Sequence, residues 1–165
     1  MKQQGFTLIE LLVVLVIVGL FAGMLMLTVT PNDNRKVQRE AKRLIQVVQL
    51  AQDEAIMQGI ELGLSVNSDV YTFSILQEDK WLPVSSISYL ADHQLDSPLI
   101  MSLEIENEQV VQQVDKDSVL PSILILSSGE LTAFKLSLFS QQQPDKQVHI
   151  IGQENGQLFL QSTDD

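Results

Sequence analysis

Apolar residues are spaced along the chain in three successive regimes, and each predicts a different element. From Phe6 to Thr30 the stretch FTLIELLVVLVIVGLFAGMLMLTVT holds 25 residues and one formal charge, Glu10. A soluble helix carries an apolar stripe; this one is apolar on every face and needs lipid or other helices all round. At about 1.5 Å per residue it extends roughly 37 Å, enough for a hydrocarbon core of about 30 Å. From Arg35 to Gln58 the pattern becomes amphipathic. Val37, Ala41, Leu44, Val48, Ala51 and Ala55 recur every three or four residues and line one helical face. Pro31-Asn32-Asp33-Asn34 ahead of it signals a break or kink, and Gly59 behind it a stop. Arg35, Lys36 and Arg39 oppose the dipole of a helix starting afresh at Asn34, which favours one long rod bent near Pro31.

After Gly59 the period falls to two. Glu61–Val66 and Val70–Leu76 flank Asn67-Ser68-Asp69 as a hairpin, and Trp81–Ile87 suits an edge strand because it contains Pro83. Leu99–Ile105 alternates, while Ile123–Leu126 is continuously apolar and predicts burial on both faces. Asp115–Ser118 reads as a loop. Leu131–Phe139 and Gln147–Ile151 follow, then Gln157–Gln161 after the turn Glu154-Asn155-Gly156. The pattern predicts an α+β fold: a long N-terminal helix, membrane-spanning in its first half, packed on a C-terminal antiparallel β-sheet domain.

Charge sharpens this division. Residues 1–43 carry six Lys/Arg (Lys2, Arg35, Lys36, Arg39, Lys42, Arg43) against Glu10, Asp33 and Glu40, a net of +3. Residues 44–165 carry four basic and eighteen acidic residues, a net of -14. So acidic a surface is repelled by phosphate, which excludes nucleic acid as a partner of the domain. There is no cysteine, hence no disulfide framework and no thiolate metal site.

Glu10 is the chemical anomaly. An ionisable side chain inside a span costs about 2.5–3.5 kcal/mol on insertion scales and normally has a partner. Its helical neighbours Phe6, Thr7, Val13 and Val14 supply no cation. A cut after Gly5 would create one, because Phe6 would then carry an α-amino group one turn from Glu10, or beside the Glu10 of a neighbouring chain. A secretory signal peptide, with Lys2 as its basic region and cleavage near Phe21-Ala22-Gly23, fits poorly: the apolar core overruns the usual length and a carboxylate precedes it. A plain single-span anchor leaves Glu10 unexplained.

The stretch Gly5-Phe6-Thr7-Leu8-Ile9-Glu10, followed by the apolar run, resembles the class III leader motif of type IV pilins and type II secretion pseudopilins. The resemblance implies cleavage between Gly5 and Phe6 by a membrane aspartic prepilin peptidase and N-methylation of Phe6. It further implies that Glu10 registers each subunit against its neighbour in a filament. Residues 1–5 would then be the leader, 6–30 the membrane and filament-core helix, 31–59 its amphipathic continuation and 60–165 a periplasmic β-rich domain. Gly19 and Gly23 form a GxxxG pattern that serves close helix packing or local unwinding. Charge counting, with one Lys before the span and five Lys/Arg after it, favours a cytoplasmic C-terminal side. The family implies the reverse, with the leader cytoplasmic and the domain periplasmic, and its more specific motif decides the expectation.

The segment Pro121–Phe139, PSILILSSGELTAFKLSLF, is similar to the end of the H-type minor pseudopilins (GspH) and of their relatives the FimT pilins, through the core Ser128–Phe134. Gln153-Glu154-Asn155-Gly156-Gln157, a glycine turn between closing strands, fits the same picture, whereas residues 60–120 match no named pattern. The reading implied is a minor pseudopilin of a bacterial type II secretion system, placed near the tip of a short periplasmic filament that helps export folded proteins. Its partners would be the prepilin peptidase, the major pseudopilin, other minor pseudopilins and the inner membrane. No nucleic acid, small-molecule substrate, cofactor or metal is implied. The alternatives are a FimT-like minor pilin of a type IV pilus and, from another class, a membrane-tethered periplasmic enzyme or ligand binder.

Enzymatic chemistry finds little support in the residues. His93, in Asp92-His93-Gln94-Leu95-Asp96, is explained by a polar loop more simply than by a metal, and His149 lies in a strand run. Glu104, Glu106 and Glu108 share a face if their strand persists, which is commonly a solvated edge rather than a calcium site. No P-loop, nucleophile elbow or spaced ligand set occurs. The expected chemistry is done to this chain at Gly5–Phe6, and the chain is not expected to be an enzyme.

Overall fold

The computed structural model describes residues 8–26, 33–84, 87–105, 108–109 and 120–163. The chain divides into two units, residues 1–32 and residues 33–165. The first contains helix α1, Leu8–Met26. The second contains, among the described residues, helix α2, Asp33–Gln58, a short 3-10 turn at Ser88–Leu90 and ten strands.

Helix α2 forms where the amphipathic period predicts it, and the six expected positions are the buried ones: Val37, Ala41, Leu44, Val48, Ala51 and Ala55 are each at most 2% exposed. It begins two residues earlier than Arg35, at Asp33. That acid stands in the first turn, where a negative charge offsets the dipole penalty of Arg35, Lys36 and Arg39. It is also buried, and the Ser140 hydroxyl donates to its carboxylate at 3.0 Å. The expected bend at Pro31 lies outside the described residues. At the other end Gly59 takes φ +65°, a left-handed conformation that an L side chain resists, and Ile60 N–H donates back to Ala55 O at 3.1 Å.

All strand pairings are antiparallel, but they build two sheets. The first runs β3 (Lys80–Pro83), β2 (Val70–Gln77), β1 (Leu62–Val66), β7 (Ile123–Ile125), with β4 (His93–Gln94) paired to β2. The second runs β10 (Leu158–Ser162), β9 (Gln143–Gly152), β8 (Phe134–Ser140), β5 (Leu99–Ile105), β6 (Glu108–Gln109). The hairpin at Asn67-Ser68-Asp69 is closed by Asn67 N–H donating to Val70 O at 2.8 Å. Pro83 ends an edge strand, as its missing N–H requires.

Helix α2 packs its buried face against β8, β9 and β10 of one sheet and β1 and β7 of the other. One core therefore joins all three layers, with Leu62, Leu64, Ile123, Ile125, Leu136 and Ile150 each no more than 1% exposed. Gly63 is required where Pro121 crosses β1: a Cβ there would lie 2.3 Å from the proline Cγ.

Several expectations are corrected. Ile123–Leu126 is not buried on both faces, because Leu124 is 37% exposed between fully buried Ile123 and Ile125, which face the core. The strand expected from Leu131 starts at Phe134, Leu131 making an isolated bridge to Ile125. The strand carrying Glu104 does not persist to Glu108. β6 returns antiparallel, pairing Ile105 with Glu108 and Glu104 with Gln109, so Glu104 and Glu108 lie on different strands. Glu106 lies outside the described residues, as does the Asp115–Ser118 loop.

Candidate functional site

Two surfaces can carry the function: the apolar helix α1 and the polar flank of α2. Leu8 to Gly19 are all exposed, from Leu8 at 85% to Ile17 at 47% among the large apolar side chains, so every face of this part of α1 awaits a cover. Glu10 sits in the first turn, where a carboxylate interacts favourably with the helix N-terminus, and its side chain is exposed. Gly5 and Phe6, the expected processing site, lie outside the described residues. A Cβ at Gly19 would meet nothing within 4 Å, so nothing in the chain's own packing demands glycine there. Gly23 lies within α1, which is helical through both glycines. Among the described residues no helix is long and apolar enough to cross a membrane. The expected span reaches from Phe6 to Thr30, and both of its ends lie outside those residues.

On α2, successive positions turn by about 100°, which groups Arg35, Lys36, Arg39, Lys42 and Arg43 within about a third of the circumference, opposite Val37, Ala41 and Leu44. All five cations are exposed. Arg43 is engaged: its Nη1 stands 2.6 Å from both ring nitrogens of His93, whose Nε2 is 3.0 Å from Glu40 Oε2. His93 is thus not in an irregular loop but in β4, opposite Tyr71, with the two rings 5.2 Å apart. What meets the imidazole is an arginine and a glutamate from α2; Asp92 and Asp96, the acids of the metal reading, are both exposed. The cluster pins the first half of α2 to the first sheet. Beneath it the buried Tyr71 hydroxyl has no hydrogen-bond partner among the described residues. Burial raises its pKa, against a lowering by Arg43 and with a smaller rise from Glu40.

On the second sheet, His149 Nδ1 lies 2.9 Å from Ser137 Oγ across the β8–β9 ladder. Burial lowers the His149 pKa first and Lys135 second, with Glu104 opposing. Glu104 itself pairs with Lys135 Nζ at 3.6 Å. Three ties have no signature in the sequence. They are Asp33 with Ser140, Gln52 Nε2 donating to Gly156 O at 2.9 Å, and Ser127 donating twice to Glu61, at 2.8 and 3.1 Å. Only Gln52 left a hint, being polar on an otherwise apolar helical face between Val48 and Ala55.

A helix exposed on every face over Leu8–Gly19, joined in one chain to a compact α+β head with its own core, defines a pilin-like subunit. Comparison with known proteins narrows the class. Residues 1–26 match the family described as Prokaryotic N-terminal methylation motif, and residues 40–156 match Type II transport protein GspH. Type II secretion system protein H of Pseudomonas aeruginosa is 35% identical over 146 residues, covering 82% of this chain and 83% of that protein. The protein of the same name in Vibrio cholerae is 28% identical, over 95% and 93% of the two chains. A crystal structure of the minor pseudopilin EpsH from the type II secretion system of Vibrio cholerae superimposes with a TM-score of 0.67 at 29% identity, covering 77% of this chain and 94% of that one. The chain belongs to the GspH family of type II secretion minor pseudopilins. The match extends through residues 60–120, where the sequence alone resembles no named pattern. These relatives are secretion proteins, which favours the secretion reading over the FimT-like pilin. The family is one of structural subunits.

Proposed function

We propose that this chain is an inner-membrane-anchored subunit near the tip of the periplasmic pseudopilus, helping to export folded proteins across the outer membrane. In this reading the prepilin peptidase cuts between Gly5 and Phe6, and Phe6 becomes the methylated first residue. Its α-amino group can then pair with Glu10, on the same or a neighbouring subunit, and that pairing sets the register. α1 anchors the subunit with the N-terminus cytoplasmic and residues 60–165 periplasmic. In the filament the major pseudopilin and other minor pseudopilins cover the faces of α1, with Gly19 and Gly23 permitting close approach or local unwinding. No catalytic activity, cofactor, nucleic acid or small-molecule substrate belongs to this role.

The observation that carries the reading is the union, in one chain, of an N-terminal methylation motif over residues 1–26 with a GspH domain over residues 40–156. The exposure of Leu8–Gly19 on every face supports it, since such a helix is stable only inside lipid or a helical bundle. Deleting the gene should abolish exoprotein secretion while leaving pilus-driven twitching intact. Wild type should restore export and Glu10→Val should not. Full secretion in the deletion strain would overturn the proposal.

A further inference from the structure

We propose that the exposed cationic face of α2 docks on anionic phospholipid headgroups while the subunit waits in the membrane. The inference rests on the anchoring reading above. Arg35, Lys36, Arg39 and Lys42 are exposed, stand on one side of the helix, and take part in no ion pair or hydrogen bond among the described residues. Glu40, the one acid on that half of α2 beyond Asp33, is turned to His93 and Arg43 at the border of the face. The strip is therefore uncompensated, in a chain whose net charge is -11.

Connectivity keeps the strip within reach of the membrane surface, however the two units are oriented. Arg35 is five residues past Thr30, and five residues reach at most about 18 Å when fully extended. The anchoring reading expects the 25-residue apolar stretch ending at Thr30 to fill a hydrocarbon core of about 30 Å, which puts the chain after Thr30 at headgroup level. The four cations follow within about 10 Å of helix. Clusters of four or more Lys/Arg beside a membrane span bind acidic lipid, each contributing about a fivefold factor near the surface and losing it beyond a Debye length. The same strip accounts for the charge count that runs against the expected orientation: these cations are held on the translocated side because they have a use there. The acidic remainder, net -14 over residues 44–165, is repelled by the same surface, so the strip is the part of the head suited to dock there.

Because the chain has no cysteine, Gln38→Cys, an exposed position beside the strip, places a unique fluorophore on the full-length protein. The labelled chain is floated with vesicles of phosphatidylcholine alone or of phosphatidylcholine with phosphatidylglycerol, each containing a headgroup-spin-labelled lipid as quencher. Quenching should be stronger in the anionic vesicles and should fall with added salt. Each neutralisation among R35Q, K36Q, R39Q and K42Q should reduce the docked-to-undocked ratio about fivefold. Equal quenching in the two lipids, in a chain that floats with both, overturns headgroup docking and leaves anchoring intact. Protection of the label only when the major pseudopilin is added, with no lipid dependence, overturns docking in favour of an acidic protein neighbour. A chain that floats with neither vesicle overturns the anchoring reading and this inference with it. The lipid comparison uses the unaltered strip, so it does not depend on the folding of the neutralised variants.

Discussion

The buried pair of Asp33 and Ser140 joins the first turn of α2, where the chain leaves the anchor, to the end of β8. Replacing Asp33 with alanine is expected to loosen that joint. Asp33 is 3% exposed and Ser140 1%, and the hydroxyl donates to the carboxylate at 3.0 Å while accepting from Gln142 N–H at 3.2 Å. A hydrogen bond to a charged group is worth about 1.5–3 kcal/mol, and a negative charge in the first turn of a helix about 0.3–1 kcal/mol. Asp33→Ala should thus cost about 2–4 kcal/mol. Asp33→Asn, which keeps an acceptor and loses only the charge, should cost about 1 kcal/mol. For a unit of this size 1 kcal/mol corresponds to about 3–5 °C, so the alanine variant should melt roughly 10 °C lower. The assay is thermal unfolding of the full chain in mild detergent, followed by near-ultraviolet circular dichroism. Combining Asp33→Ala with Ser140→Ala closes a double-mutant cycle, expected to show a coupling of about 1–2 kcal/mol. An alanine variant within about 0.5 kcal/mol of wild type, or two losses that add without coupling, would refute the reasoning.

Other outcomes follow from the same geometry. Gly152→Ala should cost about 1–3 kcal/mol, because its Cβ would fall 2.3 Å from Phe134 Cε1 inside the core; an unchanged melting temperature would contradict this. His149 has a pKa held below the ordinary imidazole value of about 6.5, so as pH falls through that range the unfolded chain binds a proton that the folded chain does not. Stability should therefore rise with pH across this window, and His149→Gln should flatten the slope relative to wild type; parallel slopes would count against it. Gly5→Val should leave the leader attached, whereas Glu10→Val should be cleaved normally yet fail to enter the filament, as read by mass and by crosslinking to the major pseudopilin. Normal crosslinking of the cleaved Glu10 variant would remove Glu10 from assembly.

The parts of the fold legible in the sequence are those set by local periodicity. The buried face of α2 is readable residue by residue because a helix on a sheet must repeat every three to four positions, and the β1–β2 hairpin because both flanks alternate around a polar turn. Pairing between distant segments leaves no such trace. Nothing near β1 announces that its second neighbour is β7, about sixty residues later, or that β5 belongs with β8 in a separate sheet. β4 and β6, two residues each, are too short to show any period, which is why His93 reads as loop and Glu108 as an extension of β5. Leu124 belongs to an apolar run, yet strand alternation turns it away from the core that buries Ile123 and Ile125. Asp33 and Ser140 are 107 positions apart, and neither has a neighbour that hints at the other. The leader motif is the opposite case: the roles proposed for Gly5, Phe6 and Glu10, with an enzyme and with adjacent subunits, rest on a contiguous stretch that can be recognised without the head domain.

The most direct test of the account is the intact mass and N-terminal sequence of the protein taken from a host that possesses the prepilin peptidase. The account predicts a chain beginning at Phe6 and carrying one added methyl group. A chain that still begins at Met1 in that host would lack the Phe6 α-amino group and contradict the account.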